Sequence, residues 1–187
     1  MNKNIVLIGF MGTGKSEVGK ELAEKLGYEF IDTDEIIEKK EMLKIPEIFD
    51  KYGESYFRKI ESEIIKEVSK KDRVVISTGG GAVIKHENRE NLRRNSVMVC
   101  LTASPEVIHE RTRKYNSRPL LKIGDPLMRI KELLNERQEY YSQADITLDT
   151  SDKSTADIVN IIHERVGTGR PADKHEGKGR LVVNNNG

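Results

Sequence analysis

Gly9-Phe10-Met11-Gly12-Thr13-Gly14-Lys15-Ser16 constrains this chain more than any other stretch, because its pattern admits few local folds. It fits GxxxxGK(S/T), whose glycines let backbone amides turn inward around an anion. The apolar run Ile5-Val6-Leu7-Ile8 before it reads as a buried strand, and Val18, Leu22 and Leu26 after it share one helical face. Strand, loop and helix in that order set the loop at a helix amino terminus, where unpaired N–H groups and the dipole favour negative charge. Lys15 can then reach the β- and γ-phosphates of a nucleoside triphosphate, and the Ser16 hydroxyl suits Mg²⁺. The bland alternative is a glycine-rich turn without a ligand. Spacing, the Lys-Ser pair and both flanks argue against it.

Beyond the loop, strand-like and helical patterns alternate, as a parallel sheet covered on both faces requires. Strands are expected at about 4–9, 28–31, 73–77, 96–102 and 145–149. Helices are expected at about 14–26, 35–41, 46–51, 54–71, 105–114, 125–142 and 154–166. The chain of 187 residues is long enough for one substantial core. Its formal net charge of +1 points to neither nucleic acid nor an anionic membrane as partner. No apolar run approaches a membrane span. The single cysteine, Cys100, excludes an intrachain disulfide and reads as a small buried hydrophobe. That usage fits the cytoplasm. From Gly167 to Gly187, glycine, charge and asparagine dominate and only Leu181-Val182-Val183 is apolar. The composition predicts one domain over 1–166 and a disordered tail over 167–187, either a linker or an appended remnant.

Three further constellations carry chemistry. Asp32-Thr33-Asp34 falls at the carboxyl end of the second expected strand, the edge where open parallel sheets hold ligands. One carboxylate can support Mg²⁺ and the other can take a proton from a hydroxyl. The competing reading is a helix cap. The strand at 73–77 ends in Ser77-Thr78 and offers no acidic metal partner, which leaves Asp32 best placed for that role. Next, Gly79-Gly80-Gly81 follows that strand and lets a ligand approach the backbone. Last, Arg58, Arg111, Arg118 and Arg137 could recognise carboxylates or phosphates, although most of the 32 Lys and Arg residues must be solvated surface.

The set Gly9 to Ser16, Asp32-Thr33-Asp34, Phe57-Arg58-Lys59-Ile60-Glu61, Thr78-Gly79-Gly80-Gly81, Arg118-Pro119-Leu120-Leu121 and Glu136-Arg137-x-x-Tyr140 closely resembles the shikimate kinase family, in order and spacing over 1–166. The resemblance implies a three-layer α/β/α sandwich of the P-loop, nucleoside-monophosphate-kinase-like kind. It implies a five-stranded parallel sheet ordered 2-3-1-4-5 and a mobile lid at about 113–124. The implied reaction transfers the γ-phosphoryl of ATP to the 3-hydroxyl of shikimate, with Mg²⁺, in a cytoplasmic monomer. Gly12, Thr13, Gly14, Lys15, Ser16 and Glu17 would cradle ATP, and Ser16 and Asp32 would hold the metal. Asp34 would be base and acceptor ligand. Arg58 and Arg137 would clamp the shikimate carboxylate, Glu61 would help to order Arg58 or a hydroxyl, and Gly80 would contact a hydroxyl, with Gly79 and Gly81 beside it at the substrate. Arg118 would meet the phosphates from the lid, and Arg111 and Lys153 would lie at the adenine. Two positions depart from the family pattern. Glu17 stands where Thr is common, and no proline occurs near Ser154 and Thr155.

The same residues leave rivals open. A kinase of this fold acting on gluconate or a nucleotide is one, and a nucleotide-binding module without turnover is another. A GTPase is disfavoured, since no N-K-x-D motif occurs.

Overall fold

Alternate residues along each strand feed two separate cores, one on either side of a five-stranded sheet. The computed structural model describes residues 3–113 and 125–167. The strands are β1 (Asn4–Ile8), β2 (Glu29–Asp32), β3 (Val74–Ser77), β4 (Ser96–Thr102) and β5 (Ile146–Asp149). They run in the order β2-β3-β1-β4-β5 with every neighbouring pair parallel. The helices are α1 (Lys15–Leu26), α2 (Thr33–Glu41), α3 (Ile45–Val68), α4 (His86–Arg93), α5 (Pro105–Thr112), α6 (Pro126–Tyr141) and α7 (Thr155–Gly167).

Ile5 and Leu7 of β1 pack with Val18 and Leu22 of α1 and Ile158 and Ile162 of α7. Val6 and Ile8, one residue out of step, pack with Ile60, Ile64 and Ile65 of α3, Leu92 of α4 and Ile130 of α6. The period of two thus explains why β1 is apolar throughout: both of its faces are interior. Asn4 opens this strand as a buried polar residue. Its amide donates to Lys71 O at 2.6 Å and accepts from Val74 N at 3.1 Å, tying the start of β1 to that of β3. Cys100 is fully buried in β4, and burial pushes its thiol up to about 12, so it behaves as the expected small hydrophobe.

The expected strands and their order are borne out, and the helices differ from expectation in places for physical reasons. Glycine separates the two halves of α3, as the split at 46–51 and 54–71 anticipates, because Gly53 takes φ 79° and ψ 170°. The second half stops at Val68 rather than 71. Lys70 and Lys71 instead bond back three residues, to Glu67 O and Val68 O. The helix α4 has no counterpart in the sequence reading. Its buried face is Asn88, Asn91 and Leu92, so apolar periodicity is lost, and Asn88 Nδ2 is satisfied by Ala82 O at 2.8 Å. At the far end α7 runs one residue into the stretch assigned to the tail, through Gly167. Residues 114–124, which hold Arg118 and nearly all of the expected lid, and the tail 168–187 lie outside the described residues.

Candidate active site

β1 leads straight into the glycine-rich loop. Gly9 takes φ +132°, and a Cβ there would stand 2.1 Å from the Leu101 carbonyl oxygen, so only glycine lets the chain leave the strand in this direction. The Thr13 hydroxyl and the Lys15 ammonium both donate to Phe10 O at 2.8 Å, which closes the loop on itself. Gly14, left-handed, then caps α1. The first-turn N–H groups of α1 therefore border the loop's concavity, the arrangement that binds phosphate. Glu17 is exposed on that first turn.

A second loop edge is held from β5. Arg111 of α5 donates to Gly12 O at 3.3 Å, to Thr150 Oγ1 at 3.1 Å and to Thr150 O at 2.8 Å. The Thr150 hydroxyl in turn shares its proton between Thr13 O at 3.2 Å and Thr102 O at 3.0 Å. Thr150 is thus a node joining the phosphate loop, β4 and Arg111. The sequence reading passed over it, and the one available signal was its place just after β5, at the ligand-bearing edge. Lys153 is exposed nearby. Ser154 and Asp157 cap α7 reciprocally, with Asp157 N donating to the serine hydroxyl at 3.2 Å and that hydroxyl donating to Asp157 Oδ2 at 2.6 Å. A capped start needs no proline there.

Asp32 ends β2 and does two jobs. Its Oδ1 accepts from Asp34 N at 3.0 Å and so caps α2, while Oδ2 accepts from the Ser16 hydroxyl at 2.7 Å. The capping reading and the metal reading of this carboxylate are therefore compatible. Asp34 itself lies in the first turn of α2 rather than on the strand.

The other side of the loop is a charged floor. β3 ends at Ser77, in register with Leu7 of β1 and Asp32 of β2, so Thr78 to Gly81 emerge between the phosphate loop and α2. Gly79 N donates to Thr33 Oγ1 at 3.3 Å. A Cβ on Gly79 would lie 2.8 Å from Asp34 Oδ1 and 2.9 Å from Glu61 Oε1, and one on Gly81 would lie 2.5 Å from Arg58 Nη2. Gly79 thus clears space beneath Asp34 and Glu61, and Gly81 beneath Arg58. Arg58 Nη1 donates to Glu61 Oε2 at 2.8 Å, and Glu54 accepts from Arg58 Nη2 at 3.1 Å. Burial works to lower the Arg58 pKa, but the ion pairs with Glu61 and Glu54 outweigh it and hold the group above its usual range. Glu61 is fully buried, and burial raises its carboxyl pKa in spite of Arg58, Lys85 and Arg137 nearby.

Arg137 enters this floor from α6. It is 4% exposed, and its guanidinium lies 5.4 Å from the centre of the Phe10 ring. Among the described residues, its Nε and Nη1 and the Glu61 Oε1 find no hydrogen-bond partner. A buried cation with two unanswered donors is costly, by roughly 1–3 kcal/mol or more, and a ligand carboxylate would satisfy it. The residue four further on, Tyr141, is also buried here, whereas the Tyr140 ring is only partly buried and stacks with Arg89 at 4.9 Å. The motif Glu136-Arg137-x-x-Tyr140 thus ends on the more exposed of two neighbouring tyrosines.

A phosphate loop faces an acidic side chain across a floor that ends in two arginines, so the two halves of a group transfer meet between β1, β2 and β3. Such a site on this sheet order defines a P-loop small-molecule kinase. Residues 11–166 match the family model described as shikimate kinase. A shikimate kinase from Thermodesulfovibrio yellowstonii is 49% identical over 171 residues, which is 90% of this chain and 99% of that protein. Among solved structures, shikimate kinase from Acinetobacter baumannii in complex with shikimate superposes with a TM-score of 0.88 at 36% identity, covering 92% of this chain and 97% of that one. Shikimate kinase from Aquifex aeolicus gives 0.78 at 42% identity, covering 89% and 97%. The chain belongs to the shikimate kinase family.

Proposed function

We propose that Lys15, Asp34, Arg58 and Arg137 carry in this chain the reaction of its family: ATP phosphorylates the 3-hydroxyl of shikimate to give shikimate 3-phosphate and ADP. The product serves chorismate and aromatic amino acid biosynthesis. The observation that supports this acceptor best is the buried Arg137, with two guanidinium nitrogens unanswered beside the Arg58–Glu61 pair. A carboxylate on a small polyhydroxylated ring answers that charge.

The residues divide the work. Gly12, Thr13, Gly14 and the first turn of α1, with Ser16 and Glu17, would hold the phosphates through backbone N–H groups. Lys15 would move from Phe10 O to the transferring phosphoryl group, where charge develops on the equatorial oxygens. Asp34, with Gly79, Gly80 and Gly81 below it, would orient the acceptor hydroxyl and accept its proton. Arg58 and Arg137 would grip the carboxylate, and Glu61 would hold Arg58 in place. Arg111 and Lys153 would border the adenine. Arg118, outside the described residues, would reach the phosphates from the lid at about 113–124.

Mg²⁺ is proposed on the same basis. The ion is bound through one or two protein oxygens plus phosphates and water, and the hydroxyl–carboxylate pair of Ser16 and Asp32, 2.7 Å apart, is such a donor set. When bound, the ion neutralises phosphate charge. A monomer is proposed, and no helix among the described residues is long and apolar enough to cross a membrane. A cytoplasmic location is proposed on the buried, unpaired Cys100, which fits a reducing compartment.

ADP release, measured with shikimate, gluconate and nucleoside monophosphates in turn, tests the reading. Turnover is expected with shikimate. A preference for gluconate or a nucleotide would overturn the acceptor assignment, and ATP binding without any turnover would favour a silent nucleotide-binding module.

A further inference from the structure

Tyr141 belongs to the last turn of α6, yet its hydroxyl donates to Gly80 O at 2.7 Å, across 61 residues of sequence. The ring is 6% exposed. Arg137, one helical turn earlier, presents its unanswered N–H groups on the same face. Gly80 in turn backs onto the phosphate loop, since a Cβ there would stand 3.2 Å from Met11 N and 3.5 Å from Gly9 O. The carbonyl that Tyr141 holds thus belongs to a peptide wedged between the acceptor clamp and the nucleotide loop. Burial pushes the phenol up to about 12, with Arg137 opposing, so the group stays a donor across the working range. The ring alone fills the space between α6 and the sheet. The hydroxyl does something else, which is to fix one carbonyl.

We propose that Tyr141 is a positioning residue for the acceptor. From α6 it sets the Gly80 peptide, and with it the glycine floor under the shikimate hydroxyls, at a fixed distance from both Arg137 and the phosphate loop. The role rests on the reaction proposed above. It acts through Arg137 and Gly80, and Tyr141 itself touches no reacting atom. Without the hydrogen bond the Gly80 peptide is free to turn, and the acceptor hydroxyl loses its register with Asp34. Nucleotide binding, which depends on the other side of the loop and on Arg111 and Thr150, keeps its supports.

Tyr141→Phe removes one oxygen and leaves the ring, so the core should survive. The expected result is a rise in shikimate KM of about tenfold with a fall in kcat, while the ATP Kd stays within about twofold. Unchanged constants for both substrates would overturn the proposal, and so would equal weakening of both, which marks a purely structural bond. If the variant is recovered only in destabilised form, the gain in melting temperature given by shikimate, set against that given by ATP, reads the same split. A cycle with Arg137→Lys tests the route. Losses smaller than the product of the single effects support action through Arg137, and a simple product overturns it. A parent chain that fails to phosphorylate shikimate would sink the underlying reading. A parent that succeeds beside an unaltered Tyr141→Phe sinks only the Tyr141 assignment.

Discussion

Two carboxylates two residues apart were readable as a pair, but their division of labour rests on single atoms. Asp32 is engaged on both oxygens, by Ser16 and by the Asp34 backbone, whereas Asp34 Oδ1 leans over Gly79. Lys15→Met and Asp34→Asn should therefore fail differently. On the proposed roles, loss of Lys15 removes the donor that would meet the developing charge, so kcat should fall by about a hundred- to a thousandfold with weaker ATP handling. Asp34→Asn should lose transfer while calorimetry still finds ATP bound; lost ATP affinity in the folded variant would move Asp34 to the nucleotide side. Glu61 gives a pH signature. Its folded-state pKa is raised, so the fold binds the proton more tightly than the unfolded chain does. The stability it contributes is complete below its ordinary value of 4.5 and is lost as pH rises through the folded value. Melting curves from about pH 4 to pH 8 should fall less steeply for Glu61→Gln than for the parent. Parallel curves would show that Glu61 titrates alike in both states.

At the scale of elements, legibility followed the source of the signal. β1, α1 and the loop between them were readable because glycine, lysine and apolar periodicity all speak locally. The helix α4 was not, because two of its three buried residues are Asn88 and Asn91, and the Asn88 amide is answered by Ala82 outside the helix, which leaves no apolar period in the chain. Thr150 and Tyr141 were missed for the same reason: each acts through a carbonyl remote in sequence. Arg58 and Arg137 were picked out by resemblance, since no local rule separates them from surface cations. Gly81, by contrast, has a meaning only the assembled floor shows. A Cβ there would meet the guanidinium of Arg58, the far end of a long side chain, at 2.5 Å. Gly81→Ala should displace Arg58 from Glu61 and raise shikimate KM by about tenfold or more, with the melting temperature lowered by no more than about 5 °C. An unfolded protein would mean that the glycine serves the backbone; an unchanged KM would mean that Arg58 is not an acceptor ligand.

At the scale of the whole molecule, the described layers run as far as α7. The core on the α1 side of the sheet needs α7, whose Ile158, Val159 and Ile162 pack with Val18 and Leu22 of α1, and that packing ends before the helix does. The family match also stops at residue 166. No site residue proposed above lies beyond Lys153. We therefore propose that the kinase domain is complete by the end of α7, and that removing 168–187 leaves both melting temperature and shikimate phosphorylation nearly unchanged. The opposing idea is that Leu181-Val182-Val183 docks on the domain as an extra layer. Fully burying three such side chains would stabilise by roughly 5–9 kcal/mol before the entropy of ordering the segment is subtracted. For a domain of this size one kcal/mol moves the melting temperature by about 2–4 °C, so docking would reveal itself as a drop of more than about 5 °C on truncation. A shift within about 2 °C, with kcat and both KM values retained, is the result expected of a self-contained fold. A large drop would instead assign the tail to the fold, and the apolar triplet would then be the first place to substitute.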